Sequence, residues 1–119
     1  IEKYLLFDEN GNELKDEEYI KLQKPIFKGG EKGFRARVMN LMSNLSYAVN
    51  TTLYINFTID VDGSIRDVWV VNNIPKKLKN EISDFFELIK GWSPAIDMNR
   101  KVPYKYGLPF TIKTRVISD

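Results

Sequence analysis

The stretch Ile55-Asn-Phe-Thr-Ile-Asp-Val-Asp-Gly-Ser-Ile-Arg-Asp-Val-Trp-Val70 has the pattern of a β-hairpin. Apolar and polar side chains alternate over residues 51–60, with the odd-numbered side chains facing inward, and this period of two indicates a half-buried strand. Asp62 and Gly63 form a common turn pair, and residues 65–71 return as a second strand. The hairpin predicts an antiparallel sheet at the centre of the fold.

Helical patterns lie on both sides of this hairpin. One helix is predicted over residues 31–45 and another over residues 76–90, with Pro75 opening the second and Gly91 ending it. The same spacing of apolar residues gives each helix a single apolar stripe: Phe34, Val38, Leu41, Met42 and Leu45, then Leu78, Ile82, Phe85, Phe86 and Ile89. These patterns predict a two-layer α+β fold, with both helices packed on one face of an antiparallel β-sheet. That arrangement would bury four residues together: Phe57, Val70, Phe86 and Phe110.

A third strand pattern, Val102-Pro-Tyr-Lys-Tyr-Gly-Leu-Pro-Phe-Thr-Ile112, contains a proline in its middle. Its even-numbered residues are apolar or aromatic and would share the inward face. A strand in the middle of a sheet uses the N–H groups of its residues to bond to a neighbour on each side. Pro109 has no N–H to give, so its presence favours a sheet edge. An edge strand leaves backbone groups unpaired, and these groups can pair with a strand from another protein. We therefore predict an edge strand that binds a partner, with Pro109 and Lys113 limiting unwanted pairing.

The composition limits the chemistry that the chain can perform. Its 119 residues correspond to one domain and include neither histidine nor cysteine. This excludes Ser-His and Cys-His dyads, imidazole bases, disulfides and metal sites built from those two residue types. Asp60, Asp62 and Asp67 do not have the spacing of an EF-hand, so they indicate turn chemistry. We predict a protein that is not an enzyme and that uses no cofactor and no metal.

Charge divides the chain into two parts. Residues 1–20 carry seven acids and two lysines, a net charge of −5, and the remaining residues carry +7. We predict an acidic N-terminal hairpin or extension over residues 1–24, with its turn at Asn10 and Gly11, and a main domain over residues 25–119. The positive remainder could bind nucleic acid with an affinity that falls steeply with salt, but a solvated lysine surface explains it as well. Since no RNP-like motif is present, we expect no nucleic-acid partner.

Four motifs connect the chain with one known family by their order and spacing. Phe27-Lys-Gly-Gly30 precedes the first helix, Asp62-Gly-Ser-Ile65 lies at the hairpin turn, Gly91-Trp-Ser-Pro94 follows the second helix, and Leu108-Pro-Phe110 lies in the last strand. In this combination the chain resembles the C-terminal domain of TonB-type energy transducers over about residues 25–113. The motif residues with expected structural roles are Gly29, Gly30, Asp62, Gly63, Trp92 and Pro94. We predict that Trp92 caps the second helix and packs into the sheet edge, while Pro94 fixes the exit of the chain.

The resemblance implies a periplasmic protein-interaction domain that transmits energy for transport across the outer membrane. Such a domain binds a short segment of a TonB-dependent outer-membrane receptor by β-strand addition to its last strand. The corresponding residues here are Tyr106, Gly107, Leu108, Pro109, Phe110, Thr111, Ile112, Lys113 and Thr114. The family also implies an inner-membrane proton-channel complex as a partner, reached through an anchored N-terminal segment. Because the chain begins at Ile1 and contains no spanning stretch, we expect that segment to lie outside these residues.

Two further interpretations concern the partner. A homodimer through the same sheet edge is an additional expectation. The chain also has Tyr47-Ala48 where the family usually has Tyr-Pro, near its receptor contact. The alternative function is therefore a non-catalytic cell-envelope scaffold of the same fold, which binds another envelope protein or peptidoglycan.

Overall fold

The computed structural model describes residues 22–113, and this part of the chain contains eight strands and two helices. In chain order they are β1 Leu22–Gln23, β2 Ile26–Phe27, α1 Gly30–Met42, β3 Asn50–Ile59, β4 Ile65–Val70, α2 Lys76–Glu87, β5 Trp92–Ser93, β6 Ala95–Asp97, β7 Arg100–Val102 and β8 Tyr104–Lys113. The paired strands are antiparallel. A mixed α+β fold with two helices and antiparallel sheets is therefore confirmed. The hairpin predicted around Asn10 and Gly11 lies outside the described residues.

The main sheet has the strand order β4-β3-β8. The predicted hairpin forms its β3 and β4 strands, with a bulge in β4 because Ile55 is opposite Val70 whereas Thr58 is opposite Arg66. Asp67 lies within this interval and has a left-handed φ of 53°. A bulge inserts one extra residue and increases the local twist of the strand pair. On its other side, β3 pairs with β8 along ten residues without interruption.

One core joins both helices to this sheet. Phe34 of α1 and Phe86 of α2 are fully buried, as are Phe57 of β3 and Phe110 of β8. The ring centroids of Phe34 and Phe86 lie 5.6 and 5.4 Å from that of Phe57, and 6.2 and 5.8 Å from that of Phe110. The predicted joint burial of Phe57, Val70, Phe86 and Phe110 is confirmed. Phe34, which was not in the predicted set, belongs to the same core.

Both helices end three residues earlier than the apolar spacing predicts, at Met42 and at Glu87. Leu45 and Ile89, the last positions of the two stripes, still pack in the core. They do so from tight turns, in which the N–H of each residue donates to the carbonyl three positions earlier at 3.1 Å. Periodicity therefore predicted the burial of these residues correctly, whereas the α-helical hydrogen bonding stops one turn earlier.

Two small sheets have no counterpart in the sequence patterns. In one, β2 pairs with β5 and places Phe27 opposite Trp92. In the other, the order is β1-β6-β7, so a strand from the predicted N-terminal extension pairs with the main domain. Met98 and Asn99 connect β6 to β7 with φ angles of 51° and 66°, which suit a two-residue hairpin turn. As a consequence, Val102 belongs to β7, and the last strand begins at residue 104 instead of 102.

Neither helix in the described part of the chain is long and apolar enough to cross a membrane.

Candidate protein-interaction site

The last strand, β8, lies at one end of the main sheet. It pairs with β3 from Tyr104 opposite Ile59 to Lys113 opposite Asn50, and no second strand in the described part of the chain pairs with it. Ten residues of strand extend over roughly 33 Å. Among the described strands, residues 104–113 therefore form an edge of the main sheet, as the pattern predicts, while Thr114 lies outside the described residues.

The backbone of β3 shows which groups of β8 face the free edge. Val71 donates its N–H to the carbonyl of Tyr54 at 2.8 Å, and the N–H of Tyr54 donates to Oδ1 of Asn72 at 2.8 Å, so the backbone of Tyr54 faces β4. Backbone groups of successive strand residues point to opposite sides, so those of Leu53 and Ile55 face β8. Their partners in β8 are Phe110 and Leu108, which must bond back to β3.

Pro109, between those two residues, therefore directs its backbone away from β3. Its missing N–H falls on the free edge and costs no hydrogen bond within the sheet. The same alternation directs the N–H and C=O groups of Gly107, Thr111 and Lys113 outward. The eight described contact residues, 106–113, thus divide by parity: odd-numbered residues direct their backbone groups to the edge, and even-numbered residues place their side chains on the inward face.

Arg35 of α1 reaches this edge, and the sequence analysis did not identify it. Its Nη1 donates to the carbonyl oxygen of Pro109 at 2.9 Å, and its guanidinium lies 5.1 Å from the ring centroid of Phe110. Glu31, one helical turn earlier, lies 4.0 Å from the Nη2 atom. Arg35 thereby occupies the one outward acceptor that Pro109 offers. The spacing of Glu31 and Arg35 was the only signal in the sequence, and such helical ion pairs are common.

The outer face of the main sheet is lined by polar and aromatic side chains. A β-carbon on Gly107 would lie 2.6 Å from Oδ1 of Asn56, so the absence of a side chain at Gly107 leaves room for Asn56. Tyr54 and Trp69 are more than half exposed on this face. Nζ of Lys79 lies 4.2 Å from the Trp69 ring centroid, an arrangement that favours a cation–π contact.

Trp92 occupies a different position from the predicted helix cap. The C-cap of α2 is Leu88, and Trp92 lies four residues later in β5, so the predicted capping role is wrong. Its ring packs against those of Phe27, Phe34 and Tyr106 at centroid distances of 5.2, 4.9 and 5.6 Å. The predicted packing against the edge strand is confirmed through Tyr106. The cap prediction failed because the helix closes with tight turns before Gly91 is reached.

The other motif residues shape turns. Gly29 is the N-cap of α1 and, like Gly30, has a positive φ. Asp62 accepts hydrogen bonds from both the N–H and the hydroxyl of Ser64 within the hairpin turn. Gly63, in the same turn, lies against the backbone of Trp92. Pro94 separates β5 from β6.

Hydrogen bonds lower the pKa values of the two turn carboxyls. The N–H of Val61, and after it Arg66, lowers the pKa of Asp60, while Ser64 lowers that of Asp62. Nε of Arg66 donates to Oδ2 of Asp60 at 2.8 Å. Within the described residues no group of three potential ligands is suited to hold a metal ion. These carboxylates act as acceptors that order the turn.

We expect Arg66→Gln to raise the pKa of Asp60 and to leave that of Asp62 nearly unchanged, because Arg66 bonds to Asp60 and to Asp67 but not to Asp62. A carboxyl whose pKa is depressed on folding stabilises the protein above its unfolded pKa. That stability is lost as the pH falls through the folded pKa. NMR titration of the side-chain carboxyl carbons from pH 2 to 6 measures both groups in one experiment. Equal shifts of the two aspartates would contradict the assignment.

Comparison with known proteins identified no relative of this chain. No protein-family model matches the chain, and no curated protein and no solved structure matches it either.

Proposed function

We propose that this chain is the partner-binding domain of a TonB-like energy transducer, which binds an outer-membrane receptor segment by β-strand addition along β8. The observation that carries the proposal is the outer edge of β8, which no other strand of residues 22–113 covers. On this edge Pro109 places its missing N–H, while Gly107, Thr111 and Lys113 direct their backbone groups outward. Backbone bonds along such an edge supply affinity for an extended peptide. The four motifs in their family order direct the proposal to this class of transducer.

The finer arrangement of the fold is part of this proposal. In the TonB C-terminal domain, two helices cover one face of an antiparallel sheet. Phe34 of α1 and Phe86 of α2 both contact Phe57 and Phe110, which supports the same two-layer packing here. In this arrangement the helices cover the inward face, and none of the described strands covers the outer edge of β8.

The proposed setting follows from the same class of protein. The domain would act in the periplasm, with an N-terminal segment anchored in the inner membrane and in contact with a proton-channel complex. Its task would be mechanical, since a strand held by several backbone bonds can transmit tension to the receptor. No covalent step and no cofactor enter this function.

Arg35 would prevent a partner strand from bonding to the carbonyl of Pro109, in the middle of the edge. Its bond to the Pro109 carbonyl occupies the acceptor that an incoming N–H would use. A strand could bond on either side of this point, to Gly107 and to Thr111, without displacing Arg35. The proposed ladder therefore has two bonded stretches separated by a proline.

Thr111→Pro should abolish detectable peptide binding, because it removes a second outward donor and places a proline ring where the partner backbone must approach. Thr111→Val is the matched control, because it removes only the hydroxyl that bonds to Thr52 at 2.9 Å. We expect this control to bind within about twofold of the parent chain. Pro109→Ala should bind as well as the parent or better, because it adds an outward N–H. The three affinities can be measured by isothermal titration calorimetry.

The experiment that tests the function is a titration with peptides from the plug domains of outer-membrane receptors encoded beside this gene. Amide shifts in NMR spectra should follow β8 from Tyr104 to Lys113. Lys113→Ala should weaken binding only modestly, since the backbone carries most of the contact. If no such peptide binds at millimolar concentration, the transducer proposal fails and the scaffold of the same fold is the better interpretation. Concentration-dependent shifts along β8 without peptide would show instead that a second copy pairs with this edge.

A further inference from the structure

A pocket of about 420 Å³ opens on the outer face of the main sheet. Clefts that hold small molecules usually measure about 300–1,000 Å³, so this volume suits a small ligand. Polar side chains from all three strands line it: Asp67 of β4, Asn56 and Thr58 of β3, and Lys105 of β8. Neighbouring strands lie about 4.8 Å apart, so the backbones of Asp67 and Lys105 are about 10 Å apart, on either side of β3.

Thr58 places a hydroxyl without a partner at this pocket. It is the one buried polar residue in the described part of the chain, with 3% of its surface exposed, and no hydrogen bond joins its hydroxyl to another described group. Among described residues that are not exposed, only Nε1 of Trp92 is both unpartnered and inaccessible. The Thr58 hydroxyl therefore keeps accessible surface, and a ligand in the pocket that Thr58 lines reaches it there.

The side-chain amide of Asn56 is a second group without a partner. Asn56 is directly opposite Gly107, and its Oδ1 lies 2.6 Å from the position that a β-carbon on Gly107 would occupy. The amide thus extends over β8 at the point where that strand has no side chain. Within the described residues no hydrogen bond holds this amide. It therefore offers both donors and an acceptor, two residues away from the Thr58 hydroxyl along the same strand.

The charged groups at the pocket favour a neutral ligand. Asp67 and Lys105 carry opposite charges, so a charged ligand would be attracted at one side of the pocket and repelled at the other. Nη1 of Arg66 donates to Oδ2 of Asp67, and Nε of the same guanidinium donates to Oδ2 of Asp60. Because Arg66 already compensates the charge of Asp67, this carboxylate suits a neutral donor better than an ammonium group.

We propose that this pocket binds one sugar residue of a glycan. Its polar groups come from three strands, so a ligand must offer hydrogen-bonding groups on several sides, as the hydroxyls around a sugar ring do. Each hydroxyl both donates and accepts, so one can donate to Asp67, another can accept from Lys105, and others can bond to Asn56 and Thr58. The site does not rest on the proposed function, because strand addition uses the backbone edge of β8 and the sugar uses side chains on the outer face.

The first test titrates glucose, galactose, mannose and N-acetylglucosamine into the ¹⁵N-labelled chain. For at least one sugar we expect saturable NMR shifts of the Asn56 side-chain amide and of the backbone amides of Lys105 and Gly107, with α2 unaffected. The uronic acid and the protonated amino sugar with the same ring are matched controls, and both should bind more weakly than the neutral sugar. The proposal is wrong if no neutral sugar gives saturable shifts at tens of millimolar, or if a charged form binds more tightly.

The second test is Thr58→Val, which keeps the shape of the side chain and removes the hydroxyl. We expect this variant to bind the sugar about 3- to 10-fold more weakly. Its urea midpoint should be unchanged or higher, because a buried hydroxyl without a protein partner does not stabilise the free domain. A lower midpoint with unchanged sugar affinity would show that the hydroxyl has a structural role, and it would overturn the assignment of Thr58.

Two variants separate the sugar site from strand addition. Gly107→Ala displaces the Asn56 amide but keeps the backbone N–H and C=O of residue 107, so it should weaken sugar binding at least about 5-fold and leave peptide binding nearly unchanged. Thr111→Pro should have the opposite effect. If peptides bind but no sugar does, the sugar site is wrong and strand addition stands. If a sugar binds but no receptor peptide does, the transducer function is wrong and the sugar site stands.

Discussion

Replacing Phe86 with alanine should lower the free energy of unfolding by about 3–5 kcal/mol. Phe86 is fully buried, and its ring contacts Phe34, Phe57 and Phe110 at centroid distances of 6.2, 5.4 and 5.8 Å. It therefore connects α2 to the other helix and to two strands of the main sheet. Removing the ring loses its transfer free energy and leaves a cavity that rigid neighbours cannot fill.

Urea denaturation followed by circular dichroism measures this effect, provided that the dependence on denaturant is unchanged. Leu88→Ala is the matched control, because Leu88 is 61% exposed and only two residues away. A surface substitution of this kind changes stability by less than about 0.5 kcal/mol. A loss below about 1 kcal/mol for Phe86→Ala would show that the ring does not connect the two helices to the sheet.

The second large effect is expected at the hairpin turn, where Gly63→Ala should cost about 2–5 kcal/mol. Gly63 has a φ of 84°, and a non-glycine residue in this left-handed region costs about 1–2 kcal/mol. A β-carbon there would also lie 2.3 Å from the carbonyl oxygen of Trp92, which is backbone and cannot rotate away. Overpacking of this kind adds about 1–3 kcal/mol.

Gly30→Ala separates the two contributions. Gly30 has a similar φ of 75°, but nothing lies within 4 Å of the position that its β-carbon would occupy. Its substitution should therefore show the conformational cost alone, about 1–2 kcal/mol. Thermal and urea unfolding of both variants gives the comparison. Equal losses at the two sites would mean that the hairpin turn does not press on the Trp92 backbone.

The contact at Gly63 also links the hairpin turn to Trp92. The turn between β3 and β4 abuts the carbonyl of Trp92, and the ring of the same residue packs against Phe27, Phe34 and Tyr106. A shifted turn should therefore move the indole N–H signal of Trp92 even where the domain remains folded.

The elements that the sequence predicted correctly are those with a strong local signal. The alternation over residues 51–60 and the apolar stripes of the two helices each extend over ten or more neighbouring residues, and the turn pair Asp62-Gly63 directly follows the first strand. Such periods arise because one face of each element must be buried. Pro109 adds a constraint of covalent chemistry, since a missing N–H must face away from a pairing strand. The edge position of β8 could therefore be predicted before any tertiary contact was known.

What only the tertiary structure decided depends on residues distant in sequence. Strands of two or three residues are too short to show a period, so the pairing of Phe27 with Trp92 could not be predicted. The bond from Arg35 to the Pro109 carbonyl joins residues 74 positions apart, and nothing local distinguishes Arg35 from other helical arginines. The position of Trp92 depends on distant residues as well, because Phe27 of β2 and Phe34 of α1 hold its ring against Tyr106 of β8. Local sequence specifies which face of an element is apolar, but the packing of those faces decides which donors and edges remain available to a partner.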